Sequence, residues 1–316
     1  MIINGGVDEA GYGPKLGPLV ITGAILRAPG EAPFWDLLAD GVSREERMDG
    51  RVVVQDSKLR HPGASGLRKL EETVWPFLRL AGIKYPVSSR DLIRKLGEGG
   101  EARGAEPWYG EGSLKLPLAA GPKDLDARTA RLQGAMKKTR AEFPGFRCRV
   151  IEPVDLNRGM TGGRNKADFH AAQVGKLLTD LHAAGGEGSY RVDVDKLGGR
   201  AYYTRPLVEA FPGWGLLTVS EDSGRSQYRL LRGKTRLEIT FSKKADRECG
   251  LVALASCLSK YLRELSMILF NRWWAKRVEG LKPTAGYPGD ADRFLKEIRT
   301  AILENDVKYD TLVRAR

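Results

Sequence analysis

Gly6-Val7-Asp8-Glu9-Ala10-Gly11-Tyr12-Gly13-Pro14-Lys15-Leu16-Gly17-Pro18 sets two adjacent carboxylates directly before a loop rich in glycine and proline. Neighbouring side chains on a regular strand point to opposite faces, so Asp8 and Glu9 share a side only if the strand ends there. The glycines that follow predict that it does end, with both acids converging at its tip. Gly11 and Gly13 would let backbone amides approach a phosphate or a sugar closely. Read alone, the stretch also fits a surface turn carrying two solvated acids.

Working outward, residues 19–26 form an apolar run that reads as a buried strand after the turn, and Val52 to Val54 is a short β-branched run. Leu67, Leu70, Val74, Phe77 and Leu78 have helical spacing over about 65–80. Residues 97–121 are loose in Gly, Pro and charge and read as an exposed insertion or loop. A strand is predicted at 147–151 and a helix at 166–181. The alternation of Val192 and Val194 with Asp193 and Asp195 predicts a half-buried strand at 190–195. A helix at 202–210 stops at Phe211-Pro212-Gly213, and 216–241 reads as strands extended by a basic hairpin. The strongest helix is predicted from Arg247 to about Trp274, and another from Asp290 or Asp292 to about Leu303. Strands first and helices interleaved after them indicate an α/β fold with a mixed sheet.

The bulk properties narrow the partners. Apolar residues make up 41% of the 316, enough for a core, and the formal net charge of +12 suits a polyanion because Lys and Arg displace counterions from phosphates. A generic basic surface is the plain alternative. No basic leader followed by an apolar stretch opens the chain, and no run approaches a membrane span, so a cytoplasmic protein with no membrane partner is expected. Cys148, Cys249 and Cys257 are odd in number and lack C-x-x-C spacing, which argues for reduced thiols. His61, His170 and His182 have no metal spacing and read as helix or loop residues.

The opening stretch resembles the G-x-D-E-A-G-R-G-P-x-x-G-P pattern of type 2 ribonucleases H (ribonuclease HII), and four later segments agree in order. Gln55-Asp56-Ser57-Lys58-Leu59 is similar to D-S-K-x-L. Val194-Asp195-Lys196-Leu197-Gly198, followed by Tyr202 or Tyr203, Leu207 and Phe211-Pro212-Gly213, is similar to the archaeal and eukaryotic third motif. Lys244-Ala245-Asp246 with Val252 to Lys260 resembles K-A-D…V-x-A-A-S-I-x-A-K, and Ala285-Gly286-Tyr287-Pro288-Gly289-Asp290 resembles S-G-Y-P-x-D.

The resemblance implies a ribonuclease H-like α/β fold, a mixed sheet flanked by helices, with insertions and C-terminal helices. It implies a catalytic domain over 1–275, with insertions near 97–145 and 220–235, and a helical extension over 276–316 packed on it. The implied activity is endonucleolytic cleavage of RNA in RNA/DNA hybrids, or at ribonucleotides in duplex DNA, by two-metal-ion hydrolysis leaving 3′-hydroxyl and 5′-phosphate ends. The implied cofactor is Mg²⁺ or Mn²⁺, both suited to carboxylate oxygens.

The family's four acids, catalytic and metal-binding, fall on Asp8, Glu9, Asp195 and Asp246. Asp246 at a helix start could instead cap free amides. Asp193 shares a face with Asp195, so strand geometry leaves the choice between them open. Gly11, Tyr12, Gly13, Lys58, Lys244, Lys260 and Tyr287 are the implied substrate-binding residues, although Tyr12 stands where the family has arginine and cannot make its bidentate phosphate contact. Arg225, Arg229, Arg232 and Lys234 with Tyr228 suit a strand gripping nucleic acid, or a solvated hairpin. The expected partner is nucleic acid and the expected state a monomer. The alternatives are a nuclease of the same fold acting on another nucleic-acid structure, and an inactive binding module.

Overall fold

The computed structural model describes all residues except 48, 61, 62, 64, 98–105, 187 and 316. His61 and part of the 97–121 stretch therefore lie outside the described residues.

The described residues build a seven-stranded sheet from β1 (Ile2–Ala10), β2 (Leu19–Ala28), β3 (Glu142–Ile151), β4 (Ser189–Asp195), β5 (Gly215–Glu221), β6 (Arg225–Arg232) and β7 (Thr235–Ser242). Their order across the sheet is β3-β2-β1-β4-β7-β6-β5. Pairing is antiparallel through β3, β2 and β1, parallel through β1, β4 and β7, and antiparallel again through β7, β6 and β5. The parallel pairs need crossovers, and helices supply them. α1 (Gly66–Leu80), α2 (Pro122–Thr139) and α3 (Lys166–Gly185) precede the short α4 (Ala245–Glu248), the long α5 (Gly250–Ala275) and α6 (Pro288–Glu297).

α5 lies against β1 and β2 on one face, where Leu254, Leu258, Leu262 and Leu265 share a core with Val20, Ala24, Trp75 and Phe77. The opposite face packs Ile3, Val7, Ile21 and Val194 on Phe169, Val174, Leu177 and Leu181 of α3. A third cluster joins Phe270, Trp273 and Trp274 of α5 to Ala291 and Phe294 of α6 and to Ile298. Glycine makes the α5 crossing possible, since a Cβ at Gly6 would collide with the backbone of Leu251 and Val252. Ser256 and Ser259 keep α5 slim on that side, and Ser259 Oγ donates to the Asp8 carbonyl oxygen at 3.1 Å.

Three expectations change. β1 does not end at Glu9 but runs through Ala10, pairing Glu9 with Ile21 and Ala10 with Val20. The stretch read as an exposed loop is docked over its described part: Trp108, Leu114, Leu116 and Ala120 are buried. The anchor is Glu71, fully buried on α1, whose carboxylate accepts the N–H groups of Leu118, Ala119 and Ala120 at 2.6–2.7 Å and the Tyr261 hydroxyl at 2.9 Å. The strongest helix begins at Gly250, not Arg247, with α4 as a separate turn before it. Among the described residues no helix is long and apolar enough to cross a membrane.

Candidate active site

β1 and β4 are adjacent and parallel, so their C-terminal ends leave the sheet side by side. Asp8 and Glu9 lie near the end of one and Asp195 is the last residue of the other. α4 brings Asp246 to the same place, because Asp195 Oδ1 accepts the Ala245 N–H at 2.9 Å and holds the start of that turn against the strand. The result is a cleft of about 210 Å³ lined by Asp8, Glu9, Asp56, Ser57, Lys58, Asp195, Lys244, Asp246, Arg247 and Ser256. Because β1 continues past Glu9, the two neighbouring acids reach this cleft from opposite faces of the sheet. Asp8 lies on the α5 side, beside Ser256, and Glu9 on the α3 side, 3.9 Å from His170 Nε2.

Asp246 does not cap α5, whose N-cap residue is Cys249. Asp193 points elsewhere: it lines a second cleft with Asn4, Gly5, Glu248 and Cys249, so only Asp195 of the pair faces Asp8. Asp56 is buried, accepts the Lys58 N–H at 2.9 Å and lies 3.6 Å from Arg247; Ser57 and Ser256 share a hydrogen bond of 2.9 Å across the cleft floor.

The acids repel one another. Burial first, then the charges of Glu9 and Asp195, hold the Asp8 carboxyl well above its ordinary range. Burial and Asp195 push Glu9 up to about 8. Burial, Asp56 and Asp195 push Asp246 to about 6, and burial raises Asp195. Lys58 is a cation common to Glu9, Asp195 and Asp246. Hard carboxylate oxygens that destabilise each other when ionised are the donor set a divalent cation relieves. Asp8, Glu9, Asp195 and Asp246 are the residues that would hold one. Among the described residues no three His, Cys, Asp or Glu side chains are already gathered as a ready-made metal site.

The loop after β1 lies beside the cleft. Gly11 has φ +86°, and a Cβ there would meet the Arg263 side chain and the Pro18 carbonyl, so the turn requires glycine. Tyr12 packs on His170 with ring centroids 5.0 Å apart and lies under Lys166 Nζ at 4.7 Å; Gly13 is exposed. Lys15 and Leu16 donate to Gly286 O at 2.7 and 3.2 Å, which brings the half-exposed Tyr287 to the edge of this loop. Lys244 lines the cleft in a left-handed conformation, φ +60°. Lys260 is not among the lining residues; it is paired with Glu264 one turn along α5 at 2.7 Å. Tyr203, not the exposed Tyr202, sits in the core, stacked on Phe241 at 3.7 Å. The basic hairpin is the three-stranded edge β5–β7, where Arg229 and Arg236 are paired with Glu238.

His170 carried no signal in the sequence beyond its place on a helix, yet it is buried beside Glu9, with no hydrogen-bond partner for Nε2 among the described residues and its pKa lowered to about 3 by burial, Lys166 and Arg200. It is therefore neutral. Arg263 and Arg314, buried behind the loop at 11–17, were missed entirely.

The order β3-β2-β1-β4-β7, antiparallel over its first three strands and parallel over its last three, with helices on both faces, makes this an α/β fold built on a mixed sheet. Among solved structures the chain is similar to ribonuclease HII of Archaeoglobus fulgidus in complex with PCNA, at 15% identity and TM-score 0.41 over 99% of this chain and 94% of that one. It is similar to ribonuclease H2 from Pyrococcus horikoshii OT3, at 13% and 0.43 over 98% and 92%. It is also similar to Bst-RNase HIII in complex with Mn²⁺, at 16% and 0.43 over 99% and 66%. No family model matches the sequence, and no curated protein matches it either.

Proposed function

We propose that this chain is a divalent-metal-dependent endonuclease of the type 2 ribonuclease H kind. It would cleave the RNA strand of RNA/DNA hybrids, or duplex DNA at embedded ribonucleotides, to 3′-hydroxyl and 5′-phosphate ends. The observation that carries the reading is the meeting of Asp8, Glu9, Asp195 and Asp246, from three separate sequence motifs, in one cleft beside the ends of two parallel strands.

Asp8, Glu9, Asp195 and Asp246 would hold Mg²⁺ or Mn²⁺, which when bound would supply positive charge for the scissile phosphate and the departing 3′ oxygen. The chain's own residues do the rest. Lys58 and Lys244 add charge on the cleft wall for the phosphate backbone. The amides around Tyr12 and Gly13 face the sugar, and the exposed ring of Tyr287 offers it an apolar surface. Neutral His170 lines the inner side of Glu9 and leaves that carboxylate free to bind metal, because it contributes no competing charge.

Calorimetric titration of Mn²⁺ into the chain tests the metal half of the reading. Binding to the native protein and its loss in Asp195→Asn are expected. A native chain that takes up no divalent cation would turn the reading toward a binding module.

A further inference from the structure

The loop at 11–17 is held from behind by two arginines that share no sequence motif with it. Arg314, buried, reaches both ends of the loop at once: Nη1 donates to Gly11 O, while Nε, at 2.8 Å, and Nη2 donate to Gly17 O. Its own backbone N–H donates to Lys15 O at 3.0 Å, so the segment bearing it lies along the loop. Arg263 of α5, also buried, donates from Nη2 to Ala285 O at 2.9 Å and to Leu16 O at 3.4 Å. Among the described residues neither guanidinium has a carboxylate within ion-pair distance. Burial and the charge of Arg263 draw Arg314 down to about 9, which leaves it charged at neutral pH.

Two adjacent buried cations with Glu152 and Glu264 acting on them only from beyond ion-pair distance are costly, and here the loop's carbonyl oxygens are what they have in exchange. The consequence for the other side of the loop follows from peptide geometry. The peptide between Gly11 and Tyr12 is planar, with C=O and N–H opposed. A Gly11 carbonyl fixed on Arg314 turns the Tyr12 N–H the other way, and no protein acceptor among the described residues takes it. A cation on the carbonyl also polarises that peptide and makes its N–H a stronger donor.

We propose that Arg314, backed by Arg263, is the positioning residue of the substrate-reading loop: its guanidinium staples Gly11 to Gly17 and presents the Tyr12 N–H to the sugar or phosphate of a nucleic acid. This rests on the nuclease reading above. It gives the loop a positive backing that does not come from the side chain at position 12. Geometry and not charge alone is what matters, because a lysine keeps the charge but cannot bridge two carbonyls with a planar fork.

The test uses the full chain with Arg314→Met and Arg314→Lys, with folding checked by circular dichroism. Hydrogen exchange is followed over 11–17, and anisotropy in EDTA compares a duplex carrying one ribonucleotide with the all-DNA duplex. Both variants are expected to speed exchange in the loop by about tenfold while α3 is unchanged. Both are also expected to lose most of any preference for the ribonucleotide duplex, with overall affinity better kept by the lysine. Native exchange in the loop in both variants overturns the proposal. So does native behaviour of Arg314→Lys alongside a defective Arg314→Met, since charge would then suffice. A native protein that cleaves nothing, with variants that still loosen the loop, would instead remove the nuclease reading and leave the staple standing.

Discussion

Tyr12 occupies the place where the resemblance leads one to expect an arginine, and its surroundings explain what a change there would do. The ring lies between His170 and Lys166, with Arg200 also close enough to influence its hydroxyl. In Tyr12→Arg the new guanidinium would meet Lys166 and Arg200, and like-charge repulsion would drive it outward toward the cleft. Expected are tighter duplex binding and a salt dependence steeper by about one unit of log–log slope, the value of one added phosphate contact. Anisotropy titrations at several salt concentrations measure it, and an unchanged slope would mean that the side chain at 12 does not reach the backbone of the substrate. At this scale the acids were legible because each sits in a short run with its own pattern. His170, Arg263 and Arg314 were not, because a lone residue on a helix or near the chain end shows nothing of what it will meet. Arg314 and Gly11 are 303 positions apart.

The elements were legible where periodicity is strong. The strand at Ser189–Asp195 and the helix at Gly66–Leu80 fall within a residue of their expected bounds. α2 was missed because its buried face is only Leu125, Thr129, Leu132, Ala135 and Met136 amid charged residues, a stripe too thin to read as core. The docking of 106–121 was hidden for another reason: it depends on a single buried carboxylate, Glu71, taking three backbone amides. A second buried acid makes an element-scale prediction. Glu152, just past the end of β3, accepts from the Tyr109 hydroxyl at 2.8 Å, and burial, followed by the charge of Glu106, pushes its carboxyl from 4.5 up to about 8. Between those values the folded chain keeps a proton that the unfolded chain has lost, so this group's contribution to stability falls as pH rises through the window. Glu152→Gln keeps an acceptor for Tyr109 and has no proton to lose. Its stability relative to the native chain, from urea unfolding, should therefore rise between pH 5 and pH 8 by about a few kcal/mol. A difference that stays flat across that range would mean the carboxyl ionises normally.

Over the whole molecule, the fold does one thing for the site: parallel pairing of β1 with β4 aligns two strand ends, and the turn before α5 closes a third side with Asp246. The mixed α/β class was readable from the order of strands and helices. The convergence of Asp8 with Glu9 was expected from a strand end that the structure does not have. It arises instead from side chains meeting around the end of the sheet from opposite faces. The net charge of +12 is spread over a surface on which many arginines are already paired, as Arg229 and Arg236 are with Glu238, so charge alone was a weak guide to where a polyanion would lie. The most direct measurement incubates the native chain and Asp8→Asn with two labelled duplexes, in Mg²⁺ and in Mn²⁺. One duplex carries a single ribonucleotide in DNA and the other a continuous RNA strand opposite DNA. Expected is cleavage of at least one duplex to 3′-hydroxyl and 5′-phosphate ends by the native chain, and a fall of about a thousandfold or more in Asp8→Asn with binding intact. Native-level cleavage by Asp8→Asn, or no cleavage of either duplex by the native chain in either metal, would contradict the assignment.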